Sequence, residues 1–455
     1  MYRAYVTKVK NIRPAENADR LNHCEAFGNT VVVDKNVNEN DLYIYFPCDG
    51  QLSLEFCLNN NLLRKLPDGT PSSGYMDPDK RNVIAIKLRG NKSDGLVLPL
   101  NCVSYTGVLL NELTEGFAFT TLNGHEICKK YIPMRQNRQG HVSEGNHVRK
   151  KKAPIAPLFI EHADTEQLAY NLDAFKPNDL IEITLKMHGT SQRTGYLPMF
   201  KGYKKTLLDR IMRRDGTPIY EYGYVSGTRR TVLNDWEGGF YGSNMFRKKH
   251  ADFFEGKLHK GEEVYYEVVG FTDEGMPIMS SASNRKLNDK DFLKKYGETT
   301  TFSYGCSCTG YYTYGDGSYD ILPKSDFYVY RMTMTNEDGD VVEYTPDFMR
   351  YRCEQMGCKC VPVLWRGFLD DTTDWNDAGM TVGEQVKEIA ERYYDGPDPI
   401  GKTHVREGVV IRILNRPKFC AYKHKNFAFK CLEGLVKAEE TAPDMEEAEE
   451  VNNEN

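Results

Sequence analysis

Hydrophobic and polar positions alternate most cleanly between Leu180 and Lys186. Ile181, Ile183 and Leu185 face one way and Glu182, Thr184 and Lys186 the other. A period of two predicts a half-buried strand. Similar runs at Tyr222–Ser226, Glu263–Gly270, Phe327–Met334 and Gly408–Leu414 predict further strands in a unit spanning about residues 156–437. Helical spacing marks the stretches beginning at Phe348 (FMRYRCEQMGC) and Thr381 (TVGEQVKEIAERYY). Glu161–Phe175 also reads as a helix, capped near Asp164 or Thr165. The basic segment Lys201–Gly216 reads as an inserted loop and helix, and Glu337–Asp340 turns a hairpin. The fold class is α+β, with sheets flanked by helices.

The first 130 residues carry a different rhythm. Short strand-like runs recur at Tyr2–Val9, Thr30–Val33, Leu42–Phe46, Asn82–Leu88 and Gly95–Leu100, separated by turn residues such as Asn36–Asn40 and the hairpin-like Gly90–Gly95. Five short strands in this length suit an OB-type β-barrel. Residues 131–155 are polar and basic without periodicity, as a linker would be. Beyond Lys437 the chain is acidic and low in aromatics, which predicts disorder over 438–455.

Composition refines this organisation. A chain of 455 residues is too long for one core. No apolar run is long enough to span a bilayer. Twelve scattered cysteines and a charged N-terminus point to reduced thiols in a cytoplasmic setting, or the host cytoplasm if the chain is viral. The net charge of -6 conceals segregation: the segment Glu439–Asn455 holds seven Glu and one Asp, so the body carries +2. Eight Lys or Arg lie between Lys129 and Lys152 against Glu144 alone. This suits a phosphate-rich partner, with a solvated linker as the alternative. Cys306, Cys308, Cys353, Cys358 and Cys360 include two C-x-C pairs, but their spacing favours ordinary packing over zinc.

The candidate chemistry gathers around Lys186, which leaves the polar face of its strand into His188, Gly189 and Thr190. Arg229 and Arg230 follow the strand ending in VSGT. Glu267 sits inside an otherwise apolar strand, Glu407 and Gly408 open another, and Lys423 and Lys425 share one face of an extended segment. A free lysine is unprotonated only about once in a few thousand molecules at neutral pH. Nucleophilic Lys186 therefore needs its pKa lowered by burial, by Arg229 or Arg230, Lys423 and Lys425, or by a divalent metal. The same cations would clamp polyphosphate oxygens, and Glu267 and Glu407 could bind a ribose hydroxyl or hold Mg2+. The sum is attack by a lysine on a nucleoside triphosphate.

The ordered set KMHGT, VSGTRR, YYEVVG, FYVYRM, EGVVIR and YKHK resembles the motifs of covalent nucleotidyltransferases. KxHGT resembles the RNA ligase 2-like branch, and an N-terminal OB domain resembles the subgroup of ATP-dependent RNA ligases built in that order. The resemblance spans about residues 1–437. It implies that Lys186 forms lysyl-AMP and that His188 supports transfer. Gly189 belongs to the same nucleotide-binding motif. Arg229 or Arg230 meets ribose or phosphate, and Glu267 meets the ribose. Tyr330 stacks on adenine, with Phe327 and Tyr328 as competitors. Glu407 serves the metal (Mg2+ or Mn2+, directly or through water) and the lysine, unless it pairs with Arg406 or Arg412. Lys423 and Lys425 meet the α-phosphate. Ser191, where many relatives carry Asn, and Arg331, where some carry Asp, depart from the pattern.

The implied reaction seals a 3′-hydroxyl to a 5′-phosphate in nicked or broken RNA, expected as duplex or hybrid, using ATP. The OB domain and linker would hold the nucleic acid through its phosphates. No membrane role is implied, and a monomer is favoured. The alternatives are a GTP-using mRNA-capping guanylyltransferase and a non-catalytic RNA-binding protein.

Overall fold

The structure, a computed structural model, describes residues 2–39, 41–131, 155–162, 165–212, 214–234, 236–238, 241–279, 282–300, 302, 304, 309–313, 319–369, 379–402, 404–416 and 418–438. Most of the expected linker, nearly all of the acidic tail, Cys306 and Cys308 lie outside these residues.

The N-terminal unit is built on β1 (Ala4–Pro14), β2 (Leu21–Ala26), β3 (Asn29–Asp34), β4 (Leu42–Phe46), β5 (Leu96–Pro99) and β6 (Ala118–Phe119). They form one sheet in the order β3-β2-β1-β4-β5, with β6 also paired to β1. Strand β2 escapes the hydrophobic pattern because its buried positions are Asn22, Cys24 and Ala26, which are small or polar. The expected strand Asn82–Leu88 is two pieces, Asn82–Val83 and Ala85–Leu88; the second folds back on Asn91–Asp94 as a hairpin. Val6, Ile44, Phe46 and Leu52 build the core with Phe56 and Cys57 of helix α1 (Leu54–Asn59).

Two large sheets carry the second unit, beside two small two-stranded ones. The first runs β7 (Glu166–Gln167), β17 (Cys420–Lys425), β16 (Gly408–Ile413), β8 (Leu180–Lys186) and β15 (Val363–Phe368). The second contains β9 (Thr190–Lys204), β10 (Thr217–Gly227), β11 (Val232–Leu233), β12 (Glu262–Gly270), β13 (Ser325–Thr335) and β14 (Val341–Glu343). Its order is β11-β10-β9-β12-β13-β14. Alternation on β8 does what the pattern predicts: Ile181 and Ile183 pack with Val409 and Ile411 against α5 (Val382–Tyr394). Tyr266, Val268 and Val329 pack against α4 (Pro346–Met356) on the second sheet. Helix α2 (Leu207–Ile211) occupies the expected insertion, and α3 (Met245–Asp252) and α6 (Phe427–Ala438) complete the helices used below.

Glu161–Phe175 is not a helix. Its described residues form β7 and two 3-10 turns, Leu168–Tyr170 and Leu172–Ala174. Glu166 and Gln167 pair in parallel with Tyr422 and Lys423, so sheet pairing overrides helical propensity. Between the turns Asn171 adopts a non-helical conformation.

The two units touch directly. Tyr5, Phe27 and Tyr170 form a ring cluster with centroids 4.4–5.4 Å apart. Lys430 of α6 pairs with Asp94, and Lys87 pairs with Asp289. Among the described residues no helix is long and apolar enough to cross a membrane.

Candidate active site

Strand register brings the charged residues together. Lys186 on β8 stands opposite Gly408 on β16, and Gly408 stands opposite Lys425 on β17. Glu407 precedes Gly408, so its carboxylate lies between the two lysines. Lys186 Nζ is 2.6 Å and Lys425 Nζ 3.6 Å from the same Glu407 oxygen. The rung needs glycine at position 408: an added Cβ would lie 2.2 Å from the His424 carbonyl oxygen. Lys423 lies further along β17, opposite Val410, which in turn faces Thr184.

This geometry reverses the electrostatics expected for Lys186. Burial is the strongest single influence and opposes its ammonium form, but Glu407, by charge and by hydrogen bond, and Glu267 together outweigh burial and Lys425, and the pKa is raised. Burial also opposes the Glu407 carboxylate, yet Lys186, a hydrogen bond from His188, and Lys425 together bring its pKa down to about 2. Lys186 is thus held as an ion-paired ammonium. Burial and the neighbouring cation do act to lower its pKa, as expected, but lose to the two carboxylates.

His188 is fixed by its surroundings. Its ring stands edge-on to Phe302 and Phe429 at 4.4 and 4.6 Å, and Nδ1 lies 3.4 Å from Glu407. Its backbone N–H donates to the Tyr304 hydroxyl. Gly189 lets the loop pass against β12, where an added Cβ would come 2.3 Å from the Val268 carbonyl oxygen. Thr190 and Ser191 then open β9, and buried Arg247 of α3 donates to Thr190 Oγ1 (2.6 Å) and the Ser191 carbonyl (3.0 Å).

A cavity of about 360 Å³ receives these groups. Lys186, His188, Gly189, Glu407, Lys423 and Lys425 line it, as do Arg229, Glu267 and Tyr330 from the second sheet's side. Arg230 is exposed and outside the lining, which separates the two arginines the sequence left equivalent. Tyr330 owes its position to a β-bulge. Tyr265 pairs with Arg331 and Tyr266 with Val329, leaving Tyr330 as the extra residue on β13. Its competitors Phe327 and Tyr328 are 8% and 5% exposed, pack in the core and do not line the cavity. Arg406 donates to the carbonyls of Pro397 and Tyr393, and Arg412 donates to that of Tyr344, so neither occupies Glu407.

Other lining residues gave no signal in the sequence. Glu433 on α6 accepts two hydrogen bonds from Lys425 Nζ, at 2.9 and 2.8 Å. His162 accepts at Nδ1 from Arg331 (2.9 Å), because a guanidinium only donates, and its ring lies 6.0 Å from that of Tyr330. Arg331 also pairs with Glu343. Among the described residues no group of three or more His, Cys, Asp or Glu could hold a metal. Cys353 packs in the second unit's core, with Cys358 and Cys360 against it. Glu407 and Glu267 nevertheless offer two carboxylates to one cavity, which fits a divalent ion that keeps waters and takes phosphate oxygens.

No protein-family profile and no curated protein matches the chain. Its likeness is to solved structures of the RNA ligase of Naegleria gruberi. A variant with ATP and Mn aligns at a TM-score of 0.54 and 17% identity, covering 94% of this chain and 98% of that one. The same ligase with PPi aligns at 0.53 and 16%, covering 94% and 97%. A second variant with ATP and Mn aligns at 0.53 and 16%, covering 96% and 99%. The chain therefore has the fold of these RNA ligases over nearly its whole length.

Proposed function

We propose that this protein is an ATP-dependent RNA ligase acting through a lysyl-AMP intermediate. The observation that carries the proposal is Lys186, Glu407 and Lys425 set side by side in one cavity with Tyr330, on a ligase fold. Tyr330 offers a ring for adenine and Glu267 a carboxylate for the ribose. Arg229, Lys423 and Lys425 meet the phosphates.

Lys186 Nζ attacks the α-phosphorus, an N–P bond forms, and the bond to the β-phosphate oxygen breaks to release pyrophosphate. The ammonium must first lose its proton, which Glu407 opposes while paired to it alone. Glu407 and Glu267 would hold the divalent metal; when bound, it supplies positive charge that favours the free amine and offsets charge on the phosphates. An RNA 5′-phosphate oxygen then attacks the AMP phosphorus and Lys186 leaves. Finally a 3′-hydroxyl attacks the 5′-phosphorus and AMP departs.

In this reading residues 1–130 form an OB-type, nucleic-acid-binding barrel, residues 131–155 a basic linker and residues 156–437 the nucleotidyltransferase unit. The protein works as a cytoplasmic monomer on duplex or hybrid RNA. The test is incubation with labelled ATP and, separately, labelled GTP, with Mg2+ or Mn2+. Label from ATP on Lys186, lost on Lys186→Ala and followed by sealing of a nicked RNA duplex, is the expected result. Label from GTP alone would make the protein a guanylyltransferase. Absence of any covalent nucleotide would leave a binding protein.

A further inference from the structure

Strands β9 and β10 continue well past the sheet that holds the site. β9 pairs with β12 only over Thr190–Gly195, whereas its pairing with β10 runs on to Lys204 opposite Thr217. The remainder is a two-stranded arm tipped by α2. Such a ribbon has little stability alone; here Phe200 packs edge-on against Tyr203 and Tyr220, at 5.0 and 6.0 Å. Almost every described residue from Lys201 to Glu221 is exposed. On α2, Leu207 is 76% exposed and Ile211 is 74% exposed. A solvated arm does not require apolar groups so placed.

Charge identifies the occupant. Residues 201–221 hold six Lys or Arg against three acids. Lys201 and Lys204 lie on β9, Lys205 directly follows it, and Arg210 and Arg214 lie on and just past α2. Lys201 is the extra residue of a bulge, since Phe200 pairs with Tyr220 and Gly202 with Ile219. Cations spread from β9 to the tip of an arm that starts at the site suit a phosphate backbone leaving that site. The arm is also tied to the site. β9 begins beside Gly189 and Ser191, and β10 ends just before Arg229. Ten residues of strand from Ser191 to Lys201 cover about 33 Å, about one turn of duplex.

We propose that this arm is a second nucleic-acid contact, gripping the duplex flank about one helical turn from the break. Its lysines meet phosphates, and the apolar face of α2 rests in the wide, shallow minor groove of an A-form helix. The proposal rests on the nucleic-acid substrate of the preceding section but not on the ligase chemistry.

The test uses the full chain and the triple variant Lys201→Ala/Lys204→Ala/Lys205→Ala. Lysyl-AMP formation, which needs no RNA, checks folding and is expected to be unchanged. Binding of nicked RNA duplexes with flanks of about 6 or about 20 base pairs, varied on each side of the nick, is followed by fluorescence anisotropy across a KCl series. On the long flank the variant should bind about tenfold more weakly, with the salt slope reduced by up to about 3. On the short flanks the two proteins should agree. Equal binding on every duplex, or the same loss on short and long flanks, would overturn the proposal. So would arm-dependent sedimentation with anionic vesicles at unchanged RNA affinity. If wild type binds duplex through the arm but forms no lysyl-AMP, the ligase reading fails and the arm stands.

Discussion

Replacing Glu407 by Gln removes the charge that fixes Lys186 while keeping the shape. Both groups lie deep in the cavity, with the Glu407 side chain only 4% exposed. The fall of the Glu407 pKa from 4.5 to about 2 corresponds to roughly 3 kcal/mol at about 1.4 kcal/mol per pH unit. Breaking a buried pair by removing one partner has a cost of the same order. Glu407→Gln should therefore destabilise the protein by about 3 kcal/mol at pH 7, measured by urea unfolding followed by circular dichroism. The sign with pH follows from the direction of the shift. A depressed carboxyl contributes stability that is complete above its unfolded pKa and is lost as pH falls toward the folded value. The gap between wild type and variant should be constant above about pH 6, shrink by about 1 kcal/mol at pH 4 and by about 2 kcal/mol at pH 3. In a Lys186→Met background the same substitution should cost less, because the buried ammonium is gone. A gap below about 1 kcal/mol at pH 7, or one that stays flat to pH 3, would refute the account of the pair.

Tyr330→Ala should raise the ATP concentration for half-maximal lysyl-AMP formation by about tenfold or more, the scale of one lost base stack, while Tyr328→Phe should leave it nearly unchanged. Arg229→Ala should slow lysyl-AMP formation at least tenfold and Arg230→Ala less than twofold, since only Arg229 lines the cavity; equal losses would contradict the assignment. Gly189→Ala should cost about 2 kcal/mol or more in unfolding experiments, because its methyl group meets the Val268 carbonyl, which belongs to a strand and has little freedom to yield.

The charged constellation could be read from the sequence because strand periodicity and motif order are local. Lys186, Glu407 and Lys425 each stand at the end of a clean alternating run, and register does the rest. What the sequence hides depends on contacts between distant segments. Arg229 and Arg230 are adjacent and chemically alike, and only the turn after β10 decides which side chain reaches the cavity. Residues 161–175 carry helical spacing, yet the edge of β17 captures Glu166 and Gln167 as a short parallel strand. The Lys186 amine departs from the expected lowering of its pKa for a similar reason. Residue types announce the cations around it, but only the fold sets Glu407 2.6 Å from the amine, where with Glu267 it tips the balance against burial.

The bulge at Tyr330 has a consequence for how this cavity can change over generations. Because Tyr330 stands outside the hydrogen-bonded ladder, with Val329 and Arg331 holding the pairing on either side, a different side chain there alters the cavity's lining without disturbing the sheet. Loss of that one residue would make the ladder regular: Val329 and Arg331 would become neighbours, each keeping its partner, and Met332 would stay in the core opposite Val264. Drift at this position is thus free to change or remove the ring that lines the cavity while the pairing and the core behind it stay as they are.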